Sequence, residues 1–301
     1  MININKAFKN NRLMKALTGM SIQEFELLSP TFALVLYESR NNKARKRAIG
    51  GGRKGSLTES ASKLFFTLFY LKIYPTCDLG AFVFNVDRSR INRWVNSFMP
   101  LLEKALGRSV TLPKRQISSV DEFLREFPEV QDLFIDGTER KTQRPTKTKI
   151  SKKRYSGKKK THTNKNTIIC DEQKRILLVS PTKGGKIHDL VQLKKINLLP
   201  HIPNHVSLWV DKGYQGISKY LLNNNSVMIP HKKPRGKNLT SLQSKENSTI
   251  SSIRIVIEHA IGGIKRFASM SNLYRNKKGQ DDKMIYLCAG LWNFHLQYKD
   301  I

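Results

Sequence analysis

The strongest constraint on the fold is a change of hydrophobic period part-way along the chain. Through the first third, apolar residues recur at helical spacing. Glu59–Ile73 carries an apolar face (Leu64, Phe65, Leu68, Phe69) and is stopped by Pro75. Two shorter amphipathic segments follow: Leu79, Phe82, Val83 and Val86, then Ile91, Trp94, Val95 and Phe98, each at i, i+3, i+4, i+7. Asp87 between them is a natural N-cap. From Val130 onward, short apolar runs predict strands instead: Val130–Asp136, a hairpin of Asn166–Ile169 with Arg175–Ser180 turning at Asp171–Lys174, Val206–Val210 and Ser226–Pro230. Helical patterns at Asp189–Leu199 and Ile250–Ala268 are interleaved. The order β, β-hairpin, α, β, β, α predicts a mixed sheet covered by helices, preceded by an all-α region. The predicted organisation is a helical segment over 1–39, a basic Gly-rich linker over 40–56, a helical domain over 57–110 and an α/β domain over 125–298.

Charge narrows the partner. The 301 residues include 54 Lys and Arg against 23 Asp and Glu, a net charge of +31. Solubility in a small domain needs only ~2–8 charges, so a field this strong points to a polyanion, and inside a cell that is nucleic acid. The charge is also clustered: Arg40–Gly55, Arg140–Lys165 and His231–Lys237 contain no acid. No apolar run is long enough for a membrane span. The first residues lack a signal-peptide core, and three dispersed cysteines suggest neither disulfides nor zinc. A soluble cytoplasmic, nucleoid-associated protein is expected. The segment after Asp87 fits DNA: at about 100° per residue its outer face presents Ser89, Arg93 and Asn96, flanked by Arg90 and Asn92. Arg and Asn suit guanine and adenine edges in the major groove. Helix, tight turn and basic polar helix is the helix-turn-helix pattern.

Where few acids occur, their positions are informative. Asp136 and Asp211 each end a predicted strand, where α/β sheets place ligands. On the Ile250–Ala268 helix, Ile250, Ile253, Ile257, Ile261, Ile264 and Ala268 form one apolar face, with Arg254, Glu258 and Lys265 on a polar strip beside it. Taken singly, Asp136-Gly137 reads as a turn, Asp211 as a loop cap, and Arg254 with Glu258 as an i,i+4 ion pair worth a few tenths of a kcal/mol. Taken together in a basic chain, three carboxylates from two strand ends and a helix suit two divalent cations clamping a phosphoryl transfer.

The combination Asp136-Gly137-Thr138-Glu139, Asp211-Lys212-Gly213-Tyr214-Gln215-Gly216 and Arg254-x3-Glu258-x6-Lys265 resembles the three blocks of DDE transposases, nearest to the insertion-sequence-five type with Harbinger kinship. Tyr155–Thr163, Gly185–Asp189 and the Gly50–Lys54 stretch ahead of the helix-turn-helix resemble further blocks of that group. Related groups have Tyr three residues before the arginine, where this chain has Ser251. The resemblance implies a ribonuclease H-like core and cleavage at terminal inverted repeats, with strand transfer by the freed 3′-hydroxyl. Asp136, Asp211 and Glu258 would be the catalytic metal ligands for two Mg²⁺ or Mn²⁺ ions. Arg254 and Lys265, together with Lys158, Lys159 and Lys160, would contact DNA, with the protein a homo-oligomer on element and target DNA. His188 would stand near the site or cap a helix. A non-catalytic DNA-binding regulator and a metal-dependent nuclease without strand transfer remain the alternatives.

Overall fold

The structure, a computed structural model, describes residues 3–41, 55–276 and 279–299. Gly50–Lys54 and most of the expected basic linker lie outside the described residues. The chain forms two compact units. One takes the residues up to Leu112, Lys265–Asn272 and the chain from Met284; the other takes Pro113–Ile264 and Leu273–Lys283.

The helical unit begins with α1 (Ile4–Phe8), α2 (Asn11–Thr18) and α3 (Ile22–Asn41), which runs through Pro30. The expected helical segment is thus two short helices and one long one. Helix α4 (Ser60–Ile73) was expected to bury one face, but every residue from Lys63 to Leu71 is buried, which makes it the central helix of the unit. It ends with Tyr74 in the left-handed region at φ 51°, just ahead of Pro75. Next come α5 (Cys77–Phe84) and α6 (Arg88–Arg108), with Asp87 capping α6 by accepting from Ser89 N–H at 2.7 Å.

The buried side of α5 differs from the expected one. Leu79 is half-exposed and Phe82 is 84% exposed, whereas Gly80 and Phe84 are buried. Packing explains the rotation. Gly80 lacks the Cβ that would press on Ile91 at 3.3 Å, so the helices approach there, and Phe84 joins an aromatic cluster with Phe66, Phe69 and Trp94.

The α/β unit opens with α7 (Val120–Glu126) and β1 (Asp132–Lys141), followed by α8 (Thr148–Arg154), β2 (Tyr155–Ser156), β3 (Thr161–Cys170), β4 (Ile176–Val179), β5 (Lys183–Gly184) and α9 (Asp189–Lys194). It continues with β6 (Ser207–Val210), β7 (Val227–Met228), α10 (Ser241–Ile253) and α11 (Ile255–Lys265). The sheet order is β2-β3-β1-β6-β7, with β4 and β5 also pairing β3. Strand β1 is antiparallel to β3 and parallel to β6. A mixed sheet with helices is the expected architecture, and it is a ribonuclease H-like one following an all-α region.

One face of the sheet forms the core. Leu133 and Ile135 of β1, Ile169 of β3 and Leu208 and Val210 of β6 pack with Phe123 of α7 and Leu193 of α9. Strand β3 is longer than its apolar end suggested, because Thr163, Asn164, Lys165, Asn166 and Thr167 are buried as well. Helix α9 is shorter than expected, with a separate 3-10 turn at Leu199–His201. The short helix α12 (Ala268–Ser271) and the long α13 (Gln280–Tyr298) follow, with the residues of α13 from Met284 on belonging to the helical unit.

Candidate active site

Parallel pairing of β1 with β6 runs from Asp132–Ser207 to Ile135–Val210. Asp136 and Asp211 are the residues just past that last pair, so register alone brings two carboxylates to one end of the pairing between neighbouring strands. Successive side chains alternate between faces, which puts Asp136 with Phe134, whose ring stacks on Trp209 at 6.0 Å, and leaves Ile135 to the core. Strand β1 itself continues beyond Asp136, since its ladder with β3 runs on to Lys141–Thr163. Asp136 therefore ends the pairing with β6 rather than the strand.

Between the two carboxylates stands Arg254, with Nη1 3.7 Å from Asp211 Oδ1 and Nη2 4.0 Å from Asp136 Oδ2. Its side chain is only 11% exposed, and its Nε has no hydrogen-bond partner among the described residues. The helix expected to be continuous over Ile250–Ala268 is broken here. Arg254 is the C-cap of α10, its N–H donating to Ile250 O, and α11 restarts at Ile255. A second interruption at Phe267, which is extended, separates α12. The first break shifts the helical phase. Ile253, expected on the buried face, is 37% exposed, while Arg254 turns inward; Ile257, Ile261 and Ile264 are buried as expected. Glu258 occupies the first turn of α11, exposed, and the ion pairs of Arg254 go to the two aspartates rather than to it.

Burial raises the Asp136 carboxyl above its ordinary range. The Gly137 N–H at 2.7 Å and Arg254 pull it back, and the neighbouring Asp211 and Asp189 push it up. Such a pair is short of positive charge and offers only hard oxygen donors, the chemistry that suits Mg²⁺ or Mn²⁺. Among the described residues, no three His, Cys, Asp or Glu side chains stand close enough together to hold an ion.

Sequence reasoning left Asp189 without a role. A Cβ on Gly137 would lie 2.8 Å from Asp189 Oδ1, and one on Gly213 2.8 Å from Oδ2. The carboxylate is thus seated between the glycines that follow the two aspartates. Lys165 Nζ holds it at 3.0 Å while reaching Glu139 Oε1 at 3.2 Å, and Glu139 is the residue directly opposite Lys165 across the β1–β3 ladder. Partial burial of Glu139 opposes its ionisation, but hydrogen bonds from Thr163 and Ser156 and the charge of Lys165 hold its carboxyl below the ordinary range. The Tyr214 hydroxyl, fully buried, faces Gly137; burial, Asp136 and Asp189 drive its pKa well up. The available signal was a glycine one or two residues after each aspartate, a mark of close approach.

Other expected positions are distributed as follows. Ser89, Arg90, Asn92, Arg93 and Asn96 lie on the first turns of α6, with Arg93 donating to Ser89 Oγ and Asn96 to Asn92 Oδ1, both at 2.9 Å; all five are exposed. Lys158, Lys159 and Lys160 are exposed in the turn between β2 and β3. The two ends of the acid-free Arg140–Lys165 run are buried instead. Arg140 pairs with Asp281 at 2.5 Å, and Lys165 lies in the network above. Lys265 is exposed in the last turn of α11 and belongs to the helical unit. His188 takes the N-cap position of α9, with no side-chain capping bond.

Comparison with known proteins bears on this arrangement. Residues 135–293, more than half of the chain, match the family described as DDE superfamily endonuclease. Residues 55–108 match the helix-turn-helix of DDE superfamily endonuclease. A probable transposase for insertion sequence element IS702, from Microchaete diplosiphon, is 32% identical over 177 residues, covering 58% of this chain and 62% of that protein. The chain thus matches less than two thirds of the length of that relative. No solved structure matches. With Asp136, Asp211, Arg254 and Glu258 all inside the larger matched segment and α5 and α6 inside the smaller, the chain belongs to the DDE superfamily endonucleases and carries that superfamily's helix-turn-helix ahead of its α/β unit.

Proposed function

We propose that this protein is a DNA transposase that binds the terminal inverted repeats of its element, cuts there, and joins the freed 3′-hydroxyl to target DNA. The observation that carries the reading is the convergence of Asp136 and Asp211 on one arginine at the end of the β1–β6 pairing, in a chain of this family with a net charge of +31. Asp136, Asp211 and Glu258 are the residues that would hold two divalent ions, Mg²⁺ or Mn²⁺, which when bound supply Lewis acidity and charge neutralisation to phosphodiester chemistry. Arg254 offsets part of the charge of the two aspartates and faces the phosphate that enters between them. The α6 face would read the repeats, and Lys158, Lys159, Lys160 and Lys265 would hold the backbone, with copies of the chain pairing two DNA ends.

The test uses DNA bearing the inverted repeats that flank the gene. Cleavage should require Mg²⁺ or Mn²⁺. Asp136→Asn, Asp211→Asn and Glu258→Gln should each abolish it while leaving DNA binding intact. Full cleavage by any one variant removes that residue from the site, and binding without cleavage by the unaltered chain would favour the regulator.

A further inference from the structure

A cavity of about 690 Å³ lies on the α/β unit beside β2, within the ~300–1,000 Å³ typical of small-ligand pockets. Among the described residues its lining supplies the cations Arg144, Lys152 and Lys186 and no carboxylate. Two rings complete it. Tyr155 and His162 are directly opposite each other across the β2–β3 pairing and meet edge to face at 5.6 Å. Ser151 Oγ is 2.8 Å from His162 Nε2 and fixes the imidazole, so Tyr155 is buttressed on one side yet 44% exposed.

Local sequence builds this site. Lys183-Gly184-Gly185-Lys186 is not a phosphate-binding loop; its glycines are explained by packing. A Cβ on Gly184 would collide with the Lys153 carbonyl oxygen, and one on Gly185 with Thr163 Oγ1. Their absence lets β5 lie on β3 and against the end of α8, where Lys186 N–H donates to Lys153 O at 3.3 Å. That approach brings Lys186 to the cavity. On the far side Gly157 leaves open space, at the start of the turn that carries Lys158, Lys159 and Lys160.

An exposed aromatic ring within a rim of cations is the arrangement that binds single strands, the ring stacking a base and the cations tracking its phosphates. We propose that this cavity is a subsite for an unpaired nucleotide of a DNA strand, with the base on Tyr155 and the flanking phosphates on Arg144, Lys152 and Lys186. The inference rests on the reading of the chain as a DNA-processing enzyme and adds a strand-separated substrate to it. Bases inside a duplex have both faces covered by their neighbours and a blunt end offers only the rigid face of its last pair, so the subsite favours an unpaired nucleotide over a blunt end.

The experiment uses the full chain with metal chelated, so that cleavage does not enter. Two duplexes of one sequence are compared, one blunt and one with a short single-stranded overhang containing 2-aminopurine. The overhang should bind more tightly, with its fluorescence quenched. Tyr155→Ala should weaken overhang binding by about 5- to 150-fold, the equivalent of ~1–3 kcal/mol per stacked base, and leave the blunt duplex unchanged. Tyr155→Phe should retain the preference, and Tyr155→Leu, which keeps bulk if alanine unfolds the hairpin, should lose it. Lys152→Ala should weaken binding of the overhang more than binding of the blunt duplex. Equal affinity of the unaltered chain for the two duplexes, or an equal loss on both with Tyr155→Leu, overturns the subsite. Cleavage of repeat DNA by a chain without overhang preference would sink this inference alone; overhang preference without cleavage would sink only the proposed activity.

Discussion

At the scale of single residues, the site is a matter of where bulk is missing. Gly137 and Gly213 sit close behind Asp136 and Asp211, and each leaves the room that a carboxylate oxygen of Asp189 occupies. Asp189 is in turn held by Lys165, which is buried and also paired with Glu139. Removing one member of such a buried set leaves the others uncompensated, which is why it costs more than the pair contributes. Gly137→Ala should therefore displace Asp189, lower the melting temperature and abolish cleavage. Normal cleavage with an unchanged melting temperature would show that the close approach is unimportant. The residue types of Asp136, Asp211, Arg254 and Glu258 were all legible in the sequence. The partner of Arg254 was not, because a helical wheel pairs it with Glu258 and only the break after Ile253 turns it toward the aspartates.

Among the elements, helices that follow simple spacing were legible, and polar ones were not. Strand β3 was read only at its apolar end. Its polar half is buried because its polar groups find partners on other elements, as Asn164 does with Asp281 and Asn166 with Arg140. Helix α3 starts with a reciprocal cap, Glu24 N–H donating to Ser21 Oγ at 3.1 Å and Ser21 N–H to Glu24 Oε2 at 2.5 Å. The same carboxylate meets His295 Nδ1 of α13 at 2.5 Å. Burial opposes ionisation of Glu24, but the bonds from His295 and Ser21 outweigh it and hold the carboxyl below its ordinary 4.5. A depressed carboxyl stabilises the folded state above the unfolded pKa and loses that contribution as pH falls through the folded one. Melting temperature should accordingly fall as pH drops below about 4.5, and Glu24→Gln should be less stable at neutral pH with a shallower acid slope. Parallel curves for the two proteins would refute the linkage.

For the molecule as a whole, charge is a statement about partners rather than fold. Its distribution separates two ways of meeting DNA. Arg93 lies on an exposed face of the helix-turn-helix, and Lys158, Lys159 and Lys160 lie on a turn of the α/β unit. Arg93→Ala should cost ~1–3 kcal/mol on the cognate repeat and little on random DNA, as expected for a side chain that reads a base. Replacing the three lysines should weaken binding to every sequence and flatten the salt dependence by ~0.9 for each phosphate that is no longer neutralised. Equal losses on specific and random DNA for Arg93→Ala would remove α6 from base reading.

By itself the sequence determined the helix-turn-helix, the mixed sheet, the charge that suits a polyanion and which acids follow the β1–β6 pairing, because period, charge and spacing are local properties. Tertiary structure alone decided which side of α5 is buried, that Arg140 and Lys165 belong to the interior, and that Arg254 bridges Asp136 and Asp211. Those outcomes depend on neighbours distant in sequence. Desolvating a charge is costly unless a partner meets it, and whether Asp281 meets Arg140, or Asp189 meets Lys165, depends on how the chain returns to the sheet.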